Sequence, residues 1–177
     1  SSIENMMKIA DNFNIPYNLI DPDNPDSIGI NPFIFDDPLK TAIAISSALR
    51  SMYQTTHTDV EEAFRDNVAT QAIENLSILL KVMYPKLNDG DLPNLSDMLE
   101  MLTDFDLAEE MCRKMEYDDE LSVQYKMLIA YFKKNFYRSG SGSADTEKFV
   151  YSAVTQLDNL LRIEGVRDIL CNRNNNI

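Results

Sequence analysis

Little in this sequence could hold a metal or carry covalent chemistry. Among 177 residues there is one histidine, and there are two cysteines. His57 has no second histidine and no cysteine pair beside it, which leaves no recognisable zinc site. It lies among Thr55, Thr56 and Thr58 at an expected helix break, where a surface or capping role suits it better than catalysis. Cys112 and Cys171 fall in helix-like stretches, outside any framework of spaced cysteines, so both are expected as free thiols of a reducing compartment. No G-x-x-x-x-G-K-[ST] phosphate loop, G-x-S-x-G elbow, H-E-x-x-H pair or C-x-x-C pair occurs. Acids such as Asp36-Asp37 and Asp118-Asp119 are adjacent, and neighbours on a helix point apart. They read as caps and solvated charges rather than catalytic dyads. With no nucleophile beside a base, the chain by itself is not expected to be an enzyme or to hold a cofactor.

Long apolar runs are missing too. Nothing approaches the ~18 residues of a membrane-spanning helix. Ser1-Ser2-Ile3-Glu4-Asn5 has neither the basic nor the apolar region of a signal peptide. The absence of an initiator Met gives the expectation of a piece cut from something longer. The apolar share, 44%, is ordinary for a globular domain and far above a disordered one.

Bases are scarce, with 16 Lys and Arg against 29 Asp and Glu and a net charge of −13. That balance suits a DNA phosphate backbone poorly, because such binding relies on Lys and Arg displacing counterions. The imbalance is local. From Asp89 to Glu120 there are twelve acids and two bases, Arg113 and Lys114, a net of −10.

What is present is helical periodicity. Ser2 to Phe13 is a short helix pattern with Ile3, Met6, Met7 and Ala10 on one side and Ser1 or Ser2 as cap. Asp37 and Pro38 start a helix, the acid as cap and the proline at the first position. Its stripe is Ala42, Ile45, Leu49 and Met52. Thr58-Asp59-Val60-Glu61 is a capping box. It opens a long helix from about Asp59 to Tyr84, with Val60, Phe64, Val68, Ala72, Leu76, Leu79 and Met83 on one face and Pro85 as its stop. Ser96 is expected to cap a helix bearing Met98, Leu99 and Leu102, and Asp104 or Asp106 one bearing Ala108, Met111, Cys112 and Met115. After Tyr117-Asp118-Asp119-Glu120, Leu121, Tyr125, Leu128, Phe132 and Phe136 form the next inner face. Asp145 is expected to cap a last long helix with Phe149, Ala153, Leu157 and Leu160 inward, followed by a short segment, Gly165 to Leu170, and a polar tail. Seven or eight helices without a matching sheet make an all-α, irregular multi-helix bundle. The nine Met residues serve either as core gap-fillers or as the lining of a binding groove.

Two stretches break the helical rule. Five of the seven prolines lie between Pro16 and Pro38. Proline fixes φ and pushes its predecessor out of the α region, so this is an extended, proline-rich N-terminal strap. Tyr17-Asn18-Leu19-Ile20 within it is a candidate short strand with no partner in the chain. The expected organisation is residues 1–35 as a helix and strap from a flanking module, and 36–177 as the helical domain. Ser139-Gly140-Ser141-Gly142-Ser143 is low in complexity and reads as a flexible connector, either an engineered linker or a native glycine-rich turn.

Ile20-Asp21-Pro22 through Ser27-Ile28-Gly29-Ile30-Asn31-Pro32-Phe33, followed by Asp36-Asp37-Pro38, resembles the segment leading into the helical insertion of type IV secretion coupling proteins. These are the TraG/TraD-type conjugation ATPases, and the likeness is nearest to those of Gram-positive mobile elements. Asp145-Thr146-Glu147-Lys148-Phe149 through Ser152-Ala153-Val154-Thr155-Gln156-Leu157-Asp158-Asn159-Leu160-Leu161-Arg162 resembles the stretch that closes that insertion. The resemblance implies the all-alpha domain of a membrane-anchored, hexameric, RecA-like motor on the cytoplasmic side of a bacterial cell membrane. In such proteins ATP hydrolysis drives single-stranded DNA and attached proteins towards a secretion channel, and this domain is thought to receive the substrate. The family's Walker residues have no counterpart here, so no catalytic residue carries over. The excised domain is expected to be a monomer.

Three functions follow. The first is binding of a relaxase, accessory factor or secreted effector protein. The acidic residues Asp97, Glu100, Asp104, Asp106, Glu109, Glu110, Glu116, Asp118, Asp119 and Glu120 would steer a basic partner, although a merely solvated face is the alternative. The second is direct DNA binding through the aromatic and basic run with Lys126, Lys133, Lys134 and Arg138. A helix with an aromatic core face and a basic outer edge explains the same run. The third is a stand-alone helical scaffold.

Overall fold

The computed structural model describes residues 2–14, 23, 29–53 and 60–172, with backbone alone at 2–4, 51–53 and 60–62. The candidate strand at 17–20, Ser1, His57, Thr58 and Asp59 of the expected capping box, and the tail after 172 lie outside them. Among the described residues every regular element is helical. They are α1 (Ser2–Asn12), α2 (Pro38–Tyr53), α3 (Val60–Leu87), α4 (Leu95–Thr103), α5 (Phe105–Glu116), α6 (Leu121–Gln124), α7 (Lys126–Asn135), α8 (Ser143–Leu161) and α9 (Glu164–Leu170), with a 3-10 turn at Pro32–Ile34. The all-α bundle is as expected. The count rises to nine because one expected helix is cut at Tyr125 into α6 and α7. No helix among the described residues is long and apolar enough to cross a membrane.

The bundle is built around α3, which packs against α2, α4, α5, α7 and α8. Its inward residues Ala72, Leu76, Leu79 and Met83 are buried as the spacing requires. Phe64, placed by the same spacing on that face, is instead 59% exposed and meets Phe149 of α8 edge to face at 6.1 Å. Pro85 does not stop the helix. A proline in the last turn removes one backbone bond, and the chain continues to Leu87. The stop comes at Asn88-Asp89-Gly90. The Asn88 side chain donates to the Tyr84 carbonyl, the Gly90 N–H donates to the Pro85 carbonyl, and Asp89 and Gly90 have φ of 52° and 91°.

α2 starts where the Asp37-Pro38 pair predicts, with Asp37 Oδ1 accepting from the Leu39 N–H at 2.8 Å. Its stripe Ala42, Ile45 and Leu49 is buried. Two polar contacts fix its register on α3: Ser46 Oγ to Glu74 Oε1 at 3.0 Å, and Arg50 Nε to Asp66 Oδ2 at 3.1 Å. The inward face of α8 differs from the expected set. It is Val150, Ala153, Leu157 and Leu161, with Phe149 and Leu160 half-buried. The start of α8 lies at Ser143, two residues before Asp145. Asp145 therefore sits in the first turn, where its charge suits the positive helix end, rather than at the cap. On α1, Met6 and Ile9 are exposed, as is Phe13 just after it, and Met7 and Ala10 are half-buried.

The Ser-Gly segment is a tight turn. The Gly140 N–H donates to the Tyr137 carbonyl at 2.8 Å, and the Gly142 N–H reaches back to the Lys134 carbonyl at 2.9 Å. A Cβ on Gly140 would run into the carbonyl oxygens of Lys134 and Lys133. Glycine is needed there for close approach of backbone to backbone.

The strap is part of the core. Gly29 to Asn31 run without regular structure, with Asn31 extended at φ −102°, ψ 114°. The Ile30 N–H donates to the Ile169 carbonyl of α9 at 2.8 Å. Gly29 lies so close to Asn172 that a Cβ would overlap its side chain. The buried Asn31 side chain donates through Nδ2 to the Pro93 carbonyl at 2.7 Å and accepts through Oδ1 from the Phe33 N–H at 3.0 Å. It thereby caps the 3-10 turn, whose first residue is the proline best suited to that place. Phe33 is 0% exposed and belongs to the same apolar core as α3. Lys81 Nζ donates to the Phe33 carbonyl at 2.6 Å. Burial pushes the Lys81 pKa down, against the opposing pull of Asp36. Each residue of Asn-Pro-Phe thus has a mechanical task.

Candidate protein-binding cleft on the acidic face

α4 and α5 carry half of the acidic block, and the capping chemistry at the helix starts decides which acids remain available. The cap of α4 is Asn94, not Ser96. Asn94 Oδ1 accepts from the Asp97 N–H at 3.2 Å, and Asp97 Oδ2 accepts from the Asn94 N–H at 2.8 Å. The same asparagine donates through Nδ2 to the Cys171 carbonyl at 2.9 Å, and Ser96 Oγ instead lies 3.5 Å from Cys171 Sγ. Asp104 caps α5 as expected, accepting from the Asp106 N–H at 3.0 Å. Asp118 accepts from the N–H groups of Glu120 and Leu121 at the start of α6. Three of the ten expected partner-binding acids are therefore engaged at helix starts, Asp104 as the cap of α5, Asp97 as the capping-box partner of Asn94, and Asp118 on the backbone N–H groups that open α6.

Four more are ion-paired. Glu109 holds Arg113 at 2.5 Å and Glu110 holds Lys114 at 3.3 Å, both one turn apart on α5. Glu116 pairs with Lys133, and Asp106 with Arg138. The guanidinium of Arg138 is bidentate on Asp106, and the Arg138 N–H also faces Glu109 Oε2. Glu100, Asp119 and Glu120 are exposed, and their carboxylates take part in none of these contacts.

The last two pairs tie together residues that the sequence assigned to different functions. Lys133 and Arg138, candidates for DNA phosphates, spend their charge on the acidic face. Lys126 and Lys134 are exposed elsewhere on α7. The aromatic residues of the same run are turned inward. Phe132, Phe136 and Tyr137 are at most 3% exposed, and Phe136 stacks on Phe105 with ring centres 4.2 Å apart. No base could stack on them. The Arg113 guanidinium lies 4.8 Å above the Tyr137 ring, whose hydroxyl is buried near the Cys112 thiol without a hydrogen bond of ordinary geometry. Both cysteines are free thiols, Cys112 buried and Cys171 half-buried.

Between the end of α3, α4 and α5 the acidic face opens into a cleft of about 190 Å³. Met101 and Met111 form its floor, each nearly buried, with Leu107 between them in sequence and half-buried. Tyr84 and Leu87 of α3 close one side, and Leu87 is 42% exposed as an apolar lip. The rim is Asp97, Glu100, Glu110 and Lys114. Of the two roles open to methionine, Met83, Met98 and Met115 serve the core alone, while Met101 and Met111 belong to the core and also line this cleft. Spacing alone could not single out Met111, which lies on the same inward stripe as Met115. Among the described residues no group of His, Cys, Asp and Glu is arranged to hold a metal ion.

Comparison with family models, with curated proteins and with solved structures finds no significant match to this chain.

Proposed function

We propose that this chain is the substrate-recognition all-alpha domain of a type IV secretion coupling ATPase, and that it binds a relaxase, accessory or effector protein for DNA transfer. The observation that carries the reading is the joint at residues 29–31 and 169–172. An inserted domain must leave its parent and return to it at one place, and the Ile30 to Ile169 hydrogen bond supports that arrangement. In sequence the two segments that resemble the family come in the required order, one ahead of α2 and the other at α8, and the strap of the first is locked by Asn31 and Phe33. Recognition rests with this chain, whereas ATP hydrolysis, hexamer formation and anchoring at the cytoplasmic face of the membrane belong to the parent motor.

The acidic face supports a protein partner over nucleic acid, because its net charge repels phosphates and its neighbouring bases are already paired. The test is calorimetry with the relaxase encoded beside the parent gene. Binding should weaken with salt, and reversing Glu100, Glu110 and Glu120 to Lys should weaken it further. An absence of binding to any co-encoded relaxase or effector would defeat the reading. A salt-dependent mobility shift of DNA at micromolar protein, lost in Lys126→Ala/Lys134→Ala, would replace it with direct DNA binding.

A further inference from the structure

We infer that the cleft between α3, α4 and α5 is a subsite for one large apolar side chain, Leu, Met or Phe, on a partner segment whose flanking residues are Lys or Arg. The inference rests on the protein-recognition reading above and adds where and how the partner is gripped. Size is the first argument. At about 190 Å³ the cleft falls below the roughly 300–1,000 Å³ of small-molecule and cofactor sites. A single side chain is the ligand that fits. Chemistry of the floor is the second. Met101 and Met111 are unbranched and polarisable, so they can close around an anchor of variable shape. Charge is the third. The rim carries three acids, Asp97, Glu100 and Glu110, against one base, Lys114, and that lysine is already turned to Glu110 at 3.3 Å. Cations beside the anchor would meet carboxylates at an open, salt-screened edge. An acidic peptide or an anionic membrane would be repelled.

The probe is a short fluorescein-labelled lysine–glycine peptide with one central leucine, compared with the same peptide bearing glycine there. The readouts are fluorescence anisotropy and the methyl spectrum of the intact chain with 13C-labelled methionine. The leucine peptide is expected to bind about ten-fold or more tightly than the glycine peptide, the scale set by burying one leucine. It should shift the Met101 and Met111 methyl signals and leave those of Met127 and Met98 in place, the first 82% exposed and the second 0%. Glu100→Gln/Glu110→Gln, on exposed carboxylates, should weaken the leucine peptide several-fold without lowering the unfolding temperature. Equal affinity of the two peptides, or shifts confined to Met127, would overturn the inference. The two readings fail separately. If the relaxase binds and the leucine peptide does not compete with it, the subsite is wrong and recognition stands. If the peptide binds as expected and no co-encoded protein does, the subsite stands and the assignment to a coupling protein fails.

Discussion

Truncating Phe33 to alanine tests whether the strap is held by the bundle or merely lies beside it. The ring is fully buried in the core shared with α3. Removing such a ring costs about 3–5 kcal/mol, the lost transfer free energy plus the cavity left behind. For a domain of this size each kcal/mol lowers Tm by about 2–4 °C, so Phe33→Ala should fall by about 6–20 °C. Asn31→Ala acts differently. It removes the donor to the Pro93 carbonyl and the acceptor for the Phe33 N–H, and it strands a buried carbonyl. An unsatisfied buried group costs about 1–3 kcal/mol and each of the two lost hydrogen bonds about 0.5–1.5, which gives about 2–6 kcal/mol in all. The control is Ile34→Ala, one residue along and 45% exposed, expected within about 0.5 kcal/mol of the parent chain. Calorimetry reads the stabilities. Hydrogen exchange reads the Ile30 amide, which should lose protection in Phe33→Ala because its acceptor is the Ile169 carbonyl. If Phe33→Ala melts within about 2 °C of Ile34→Ala, the strap contributes nothing to the fold. The proposed single joint between this chain and a parent would go with it.

Two further outcomes follow from side chains that the fold buries or crowds. Gly140→Ala should cost about 1–3 kcal/mol, because the added Cβ meets two backbone carbonyls that cannot swing away. Gly142→Ala should cost less, since its nearest obstacle is the movable end of the Asn135 side chain; equal and negligible losses in urea melts would restore the flexible-linker reading. The Tyr131 and Tyr137 phenols both have raised pKa values through burial, Tyr137 with a further upward push from Cys112. The stability gained by keeping them neutral is complete below the ordinary value of 10 and is lost as pH rises past it. Tyrosinate absorbance should show these two lagging the other tyrosines until the chain unfolds, and Tyr131→Phe/Tyr137→Phe should shift alkaline unfolding to higher pH.

The bundle was legible because apolar stripes at 3.6-residue spacing leave few alternatives, and the Asp37-Pro38 and Asp104 starts were legible because caps are local chemistry. The misses share a cause. Ser96 and Asn94 are both good caps within two residues, and the choice between them is made by the distant Cys171 carbonyl, which only Asn94 serves. Val150 displaces Phe149 from the core by one residue, a rotation of α8 that its own sequence permits and its neighbours impose. Pro85 ended the expected helix because its local rule was applied without the Asn88-Asp89-Gly90 stop three residues on. The candidate site suffered most. Acid and base blocks far apart in sequence were assigned opposite partners, whereas the bundle sets α5 against α7 and lets Glu116 meet Lys133 and Asp106 meet Arg138. No spacing rule reports a contact between residues that are 32 positions apart.

The joint and the cleft meet at one residue pair, so their energetics should not be separable. Asn31 holds the Pro93 carbonyl, the next residue Asn94 caps α4 and holds the Cys171 carbonyl, and Asp97 completes that cap while standing on the rim of the cleft. Asn94→Ala removes the capping box, worth about 0.5–2 kcal/mol, together with the bond to Cys171. The first turn of α4 should then fray, and fraying frees Asp97 from its cap. Met101, one turn further along and packed against α5, should keep its place. The expected signature is faster exchange of amides in the first turn of α4, with a small shift of the Met101 methyl signal and an unchanged Met111 signal. Asn94→Asp keeps the capping oxygen and loses only the donor to Cys171, so it should restore the α4 amides while leaving the segment 170–172 less protected. Were both variants to leave exchange at α4 and at 170–172 as in the parent chain, the cap and the joint would be independent features that merely adjoin.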